Sequence, residues 1–199
     1  MKKLISMVVM FSAIMLFTGC AGSVKNMQPL TPEQVVSAPE KDKAMVVFMR
    51  PSSIGYAIQS SVFEMKKSTP TLVGIVAAKK KVAYELDAGE HLFMVVGESA
   101  DFMSANLEAN KTYYALVTPR MGVWKARFSL KPISKEELVT SEFNEWLNEC
   151  EWVGKSQASE NWMSGNISDI SSKYTEYYAK WLNNKDEAER PKLLMQDGK

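Results

Sequence analysis

The histidine His91 and the serines Ser52 and Ser53 are the residues whose types best suit acid–base or nucleophilic chemistry, and His91 is the only histidine. A serine hydrolase needs a hydroxyl, an imidazole and a carboxylate in contact. Neither serine lies in a nucleophile-elbow pattern. His91 follows a turn at the start of a predicted strand, which favours a surface or turn-packing role over general-base catalysis. We therefore expect no catalytic residues, with a Ser/His hydrolase of the cell envelope as an alternative.

The chain contains few of the residue patterns that bind metals or cofactors. One histidine excludes a multi-histidine zinc site. Asp87, Glu98 and Asp101 supply carboxylates, but their spacing is not that of a calcium-binding loop. We expect no metal site and no cofactor.

Basic residues form a weak candidate for a ligand surface. Lys125, Arg127 and Lys131 share one face of a predicted strand, and the runs 66–67 and 79–81 are lysines at predicted hairpin ends. Together they would suit lipid phosphates or acidic glycans if they converged in space. Hairpin-end lysines are otherwise solvated and discourage edge-to-edge aggregation.

The first 19 residues have the pattern of an export signal. Lys2 and Lys3 precede an apolar stretch, Leu4 to Phe17, that is shorter than the roughly 20 residues of a membrane-spanning helix. The stretch ends in Leu16-Phe17-Thr18-Gly19-Cys20, which resembles the lipobox of bacterial lipoproteins, with Phe17 where Leu is usual. The resemblance implies that Cys20 becomes the first residue and carries diacylglycerol and a fatty acid such as palmitate. Ala21 then implies the outer membrane, facing the periplasm. An ordinary secretory signal is the alternative.

The charge balance and the cysteine count limit which molecules and which disulfide partner this chain can have. Removal of residues 1–19 leaves 22 basic against 23 acidic residues. This balance gives no overall attraction to nucleic acid, so none is expected as a partner. An acylated Cys20 leaves Cys150 without a disulfide partner, and we expect a buried, inert thiol there.

Residues 20–42 contain three prolines and no sustained periodicity, which predicts a lipidated N-terminus and a flexible tether. The alternative is an arm that packs on the folded domain.

Residues 43–133 predict a β domain. Apolar residues on both faces of the first strand indicate a central position, and the last strand alternates between apolar and polar residues. Short strands at close spacing without intervening helices predict a small sandwich or barrel. The predicted strands are Ala44 to Arg50, Ser61 to Lys66, Thr71 to Ala77, Val82 to Leu86, His91 to Glu98, Ser104 to Glu108, Thr112 to Thr118, and Val123 to Lys131.

Four short segments of this region resemble a family of uncharacterised bacterial lipoproteins. The segments are residues 45–52 (MVVFMRPS), 72–74 (LVG), 86–91 (LDAGEH) and 107–114 (LEANKTYY). Ala88 stands where Pro is common in that family's turn. The resemblance implies a β-sandwich on a lipid anchor and no catalytic activity.

Residues 134–199 predict helices. Ser134 and Glu137 fit a capping box, followed by an apolar stripe at helical spacing that runs from Val139 to Val153. A second helix is predicted over 166–184, with an aromatic stripe that packs on the first helix or the sheet, or else forms a platform for carbohydrate or peptide. The tail after Asp186 is expected to fray.

The sequence therefore predicts a protein that is mainly β with α: an antiparallel β-sandwich followed by a C-terminal helical segment. The favoured function is a non-enzymatic envelope lipoprotein, held to the membrane through Cys20, that binds or scaffolds a protein or glycan partner. A structural subunit of an envelope assembly is a further alternative.

Overall fold

The fold is known from a computed structural model that describes residues 24–120, 126–184 and 186–199. The described residues form two β-sheets and two helices, with short 3-10 turns between them. The strands are β1 (Met27–Pro29), β2 (Lys43–Arg50), β3 (Ser60–Lys66), β4 (Thr69–Val76), β5 (Lys80–Asp87), β6 (Gly89–Val96), β7 (Ala100–Leu107), β8 (Thr112–Arg120), β9 (Arg127–Pro132), β10 (Glu151–Lys155) and β11 (Lys192–Leu193). The helices are α1 (Ser141–Glu149) and α2 (Gln157–Asn184).

The two sheets pack face to face, which confirms the predicted sandwich. One sheet has the order β1-β10-β5-β2-β8-β9 and the other β11-β7-β6-β3-β4. The hairpins β3–β4, β6–β7 and β8–β9 are antiparallel. Three neighbouring pairs are parallel: β2–β8, β5–β10 and β7–β11. Each parallel pair joins strands far apart in the chain, since parallel neighbours need a long connection.

The central position predicted for β2 is confirmed. It lies between β5 and β8. Val46 and Phe48 point into the core between the sheets, whereas Met45, Val47 and Met49 point to the outer face that α1 covers. On β9, Phe128 and Leu130 are buried as the alternation predicts. Positions 123–125 of that predicted strand lie outside the described residues.

The first C-terminal helix differs from the prediction. The Ser134/Glu137 capping box forms, with Ser134 N donating to Glu137 Oε2 (2.9 Å), but it precedes only a 3-10 turn, Glu137–Val139. Helix α1 begins beyond it, capped by Thr140. The predicted stripe is not continuous, because Val139 is exposed and Val153 lies in β10. Pairing of β10 with β1 and β5 outweighs the helical spacing of its residues.

Helix α2 begins nine residues before the predicted start at Asn166. Its N-terminus is held by Ser156 and Ser159, since Ser156 N donates to Ser159 Oγ (2.9 Å). The side chain of Asn166 instead donates to the Trp162 carbonyl within the helix (2.7 Å). Gly165 is accommodated inside the helix, which packs on β7 and β4.

The segment predicted to be a tether is packed from Val24 to Leu30. Val24 and Met27 are buried in the core between the sheets. The strand β1 pairs with β10, which the sequence placed in a helix. The segment packs instead of forming a loose tether because the backbone of β10 pairs with it as a neighbouring strand. Over these residues the alternative of a packed arm describes the chain.

The fraying predicted for the tail is wrong. Leu193 of β11 is fully buried and pairs with β7. The backbones of Lys199 and Thr112 exchange two hydrogen bonds, at 2.8 and 3.1 Å. The Asp197 carboxylate accepts from the backbone N of Leu194 (2.8 Å) and of Lys135 (3.3 Å). These long-range contacts outweigh the local polarity of the tail.

Candidate functional site

A buried polar cluster lies between the sheets at one end of the sandwich. Alternation along β3, β5 and β6 turns Glu64, Tyr84 and His91 to the same side as the core residues Val62, Val82 and Phe93. Glu64 is 2% exposed. A carboxylate in this position needs partners, because desolvation of an unpaired charge is costly.

Glu64 contacts His91, Tyr84 and the Lys66 ammonium, which lies 3.5 Å from Glu64 Oε2. His91 Nδ1 lies 2.8 Å from Glu64 Oε1, and the Tyr84 hydroxyl donates to Glu64 Oε2 (2.7 Å). The other ring nitrogen of His91 lies 2.9 Å from the Asp87 carbonyl oxygen. Both ring nitrogens thus lie within hydrogen-bond distance of an acceptor oxygen. Burial, reinforced by Glu64, raises the pKa of Tyr84 well above its usual range.

The serines considered for catalysis lie at the other end of the sandwich. Ser52 follows β2, whose residue Arg50 pairs with Lys80, whereas Asp87 at the far end of β5 leads into the turn before His91. The strand separates these ends by about 23 Å. The Ser52 hydroxyl accepts from the backbone of Ile54 (3.2 Å). The Ser/His arrangement of the hydrolase alternative is therefore not formed.

The three carboxylates weighed for a cation do not meet. Asp87 is exposed and pairs with Lys43 at 2.5 Å, and this hydrogen bond holds the pKa of Asp87 below its ordinary value. Glu98 and Asp101 lie at the opposite end, where Asp101 accepts from the Ser129 hydroxyl (2.6 Å). No cluster of three potential metal ligands occurs within the described residues.

The basic residues do not converge into one surface. Lys66 and Lys67 lie at the His91 end of the sandwich, and residues 79–81 lie at the other. Arg127 and Lys131 on β9 pair with acids: Arg127 Nε is 3.8 Å from Glu98, and Lys131 Nζ is 2.7 Å from Glu137.

The lysines of the run 79–81 are partnered, and one of the predicted basic residues is not seen. Lys79 pairs with Glu149 at 2.5 Å, Lys80 pairs with Glu151, and Lys81 donates to the Leu147 carbonyl. Lys125 lies outside the described residues, as does the acylation candidate Cys20.

An open cleft lies beside the polar cluster, between β6, β7 and the C-terminal part of α2. Its volume is about 650 Å³. One wall is aromatic and the rim carries both signs of charge. The aromatic residues are Tyr174, Tyr178 and Trp181; the basic residues are Lys66, Lys67, Arg190 and Lys192; the acidic residues include Glu90 and Glu187.

The aromatic wall is held in place by the sheet, which confirms that the stripe packs on it. The Phe102 ring of β7 lies 5.2 Å from Tyr178 and 5.7 Å from Trp181, centroid to centroid. Tyr174 and Tyr178 stack at 5.0 Å. These contacts fix the rings without covering their cleft side.

Trp181 contributes its ring to this cleft, and its indole N–H is buried. The residue is 8% exposed, and its Nε1 has no hydrogen-bond partner among the described residues. A buried indole N–H normally finds an acceptor. The Arg190 guanidinium lies 5.6 Å from the Trp181 ring. Aromatic rings together with the cations of the rim suit a ligand rich in acceptor oxygens.

Cys150 is buried, as predicted, and no disulfide involves it among the described residues. Burial raises the pKa of its thiol to about 11, although the nearby ammonium groups of Lys81 and Lys79 oppose the shift. The thiol is therefore protonated and poorly nucleophilic at neutral pH.

Sequence reasoning missed Glu64. Glu64 interrupts the apolar residues of β3. A carboxylate at an inward-facing strand position was the sequence feature that could have indicated a buried polar site. Nothing local indicates that its partner is His91, 27 residues later.

Comparison with known proteins assigns neither a family nor a function to this chain. No protein-family model matches the chain, and no curated protein matches it. Across the described residues, no helix has the length and apolar character to cross a bilayer.

Proposed function

We propose that this chain is a non-enzymatic envelope lipoprotein that is anchored through Cys20 and binds a protein or glycan partner in the aromatic cleft. The observation that carries the binding proposal is the open cleft itself, whose wall contains Tyr174 and Tyr178, stacked at 5.0 Å, and whose rim carries both signs of charge. Aromatic walls with a few placed polar groups are typical of binding sites.

The anchor is supported by the N-terminal pattern. A charged start, a short apolar stretch and Thr18-Gly19-Cys20 fit signal cleavage and acylation. Each buried methylene of an acyl chain contributes about 0.8 kcal/mol, so two or three chains hold a protein on the membrane stably. Ala21 favours the periplasmic face of the outer membrane.

Metabolic labelling with a fatty-acid analogue tests the anchor. The wild-type chain should take up the label and sediment with membranes, whereas Cys20→Ser should do neither. Equal labelling of the two chains would contradict acylation at Cys20.

Site-specific cross-linking tests the cleft. A photoreactive amino acid at Leu182, on the cleft, should capture a defined envelope protein or glycan in intact cells. The same group at Val139, which is 84% exposed and is not among the residues that line the cleft, is the matched control. Tyr178→Leu replaces a ring of the cleft wall by an aliphatic side chain, and it should weaken capture at position 182. Equal capture at positions 182 and 139 would contradict the proposed site.

A further inference from the structure

The loop between β2 and β3, residues 51–59, presents three large side chains to solvent. Ile54 is 68% exposed, Tyr56 is 60% exposed and Ile58 is 43% exposed. The loop sequence, PSSIGYAIQ, contains no charged residue. Exposed apolar side chains concentrated within five residues of one uncharged loop favour a contact with a partner or a membrane.

Arg50 holds this loop in one shape. Its buried guanidinium donates to the carbonyl oxygens of Ile58 (2.6 Å), Ile54 (2.7 Å) and Gly55 (2.9 Å). The guanidinium carbon also lies 4.9 Å from the centre of the Phe128 ring. Gly55 has φ +66°, a conformation that glycine adopts without strain. The loop is therefore ordered before it meets a partner, which lowers the entropic cost of contact.

The N-terminal segment leaves the sandwich beside this loop. Val24 is buried in the core, and the Gln59 side-chain amide can bridge the backbone of Lys25, with contacts of 3.0 and 3.2 Å. Cys20 is four residues before Val24. Four residues span at most about 14 Å. An acylated Cys20 would thus hold the membrane surface within that distance of Val24.

We propose that the loop 51–59 inserts its apolar side chains into the headgroup region of the bilayer that holds the acyl chains of Cys20. Tyr and aliphatic side chains suit that boundary, where apolar groups lie about 5–10 Å deep. Lys25, which is exposed next to the loop, suits anionic headgroups.

This contact sets the orientation of the protein. The strand β3 runs from Ser60, beside the loop, to Lys66, at the rim of the aromatic cleft. The cleft therefore lies at the end of the sandwich that points away from the membrane, about 20 Å farther out. The Arg50 end of the sandwich faces the membrane, and the cleft at the opposite end stays accessible.

The inference rests on the acylation of Cys20 proposed above, and a fluorescent reporter tests it separately. Ile54→Cys in the full-length acylated protein is labelled with an environment-sensitive dye; Cys150 is buried and does not react. The protein is reconstituted into vesicles of phosphatidylethanolamine and phosphatidylglycerol, with and without bromine on the acyl chains. Val139→Cys with the same dye, at the other end of the sandwich, is the matched control.

We expect the dye at position 54 to shift to the blue and to lose roughly half of its fluorescence in brominated vesicles, given its shallow insertion. The dye at position 139 should show neither effect. Equal, weak quenching at both positions in protein that carries the fatty acid would overturn the membrane contact and leave the anchor standing. A blue shift that needs added envelope proteins, without quenching, would also overturn it and assign the loop to a protein partner. Absence of fatty acid on the wild-type chain would instead refute the anchor.

Discussion

The Nδ1 atom of His91 lies 2.8 Å from Oε1 of Glu64, and this contact joins β6 to β3 inside the sandwich. The Tyr84 hydroxyl from the opposite sheet donates to the other carboxylate oxygen, and Lys66 Nζ lies 3.5 Å from that oxygen. The cluster therefore ties the two sheets together at the end that carries the aromatic cleft. Its geometry assigns His91 a structural role.

His91→Ala should lower the free energy of unfolding by about 1–3 kcal/mol, because Glu64 would stay buried with one partner fewer. Urea denaturation at neutral pH measures the change. Glu90→Ala, on the exposed neighbour, is the control and should have little effect. Equal stability of the two variants would contradict the structural role. In the double variant with Glu64→Gln, the cost of removing His91 should shrink, because the buried charge is gone.

Trp181→Ala should lower the free energy of unfolding by about 3–5 kcal/mol, because the ring fills the contact between α2 and Phe102. Thermal and urea unfolding measure it. Leu182→Ala, at a half-exposed neighbouring position, should cost much less. If both substitutions leave stability unchanged, α2 does not depend on the sandwich and the packing described for it is wrong.

Cys150 should resist alkylation at pH 8 in the folded protein and react fully in denaturant, because burial keeps its pKa near 11. Cys20→Ser makes it the only thiol, and mass spectrometry counts the adducts. Rapid modification of the folded chain would contradict the burial.

The raised pKa of the Cys150 thiol also predicts that the protein loses stability at high pH. Its ordinary pKa is 9.0. From about pH 9 to pH 11 the unfolded chain releases the proton while the folded chain retains it, so the free energy of unfolding should fall as the pH rises. Cys150→Ser serves as the control, and its stability should fall less over this range.

Asp197→Ala should lower the free energy of unfolding by about 1–2 kcal/mol, because two backbone N–H groups, of Leu194 and Lys135, lose their acceptor. Gln196→Ala, its exposed neighbour, is the matched control. Denaturation in urea compares them. A tail that frays in solution would leave both variants as stable as the wild type.

The strands of the sandwich could be read from local pattern. Val46 and Phe48 on one face of β2, with Met45 and Met49 on the other, already indicated a central strand. The pattern succeeds because a pleated strand turns successive side chains to opposite faces. The alternation of apolar and polar residues in each strand therefore shows which face is buried. The Thr18-Gly19-Cys20 motif is equally local, and acylation at Cys20 stays a prediction.

The candidate sites needed the tertiary structure. Glu64 and His91 are 27 residues apart, and the carbonyl partners of Arg50 exist only once the loop has closed over it. Val153 continues a helical spacing, yet β10 is a strand because β1 and β5 supply its hydrogen-bond partners. Sequence alone determined which segments alternate and where an anchor is expected. Only the fold decided which buried polar groups meet and which short segments become strands, because their stability depends on neighbours that distant parts of the chain provide.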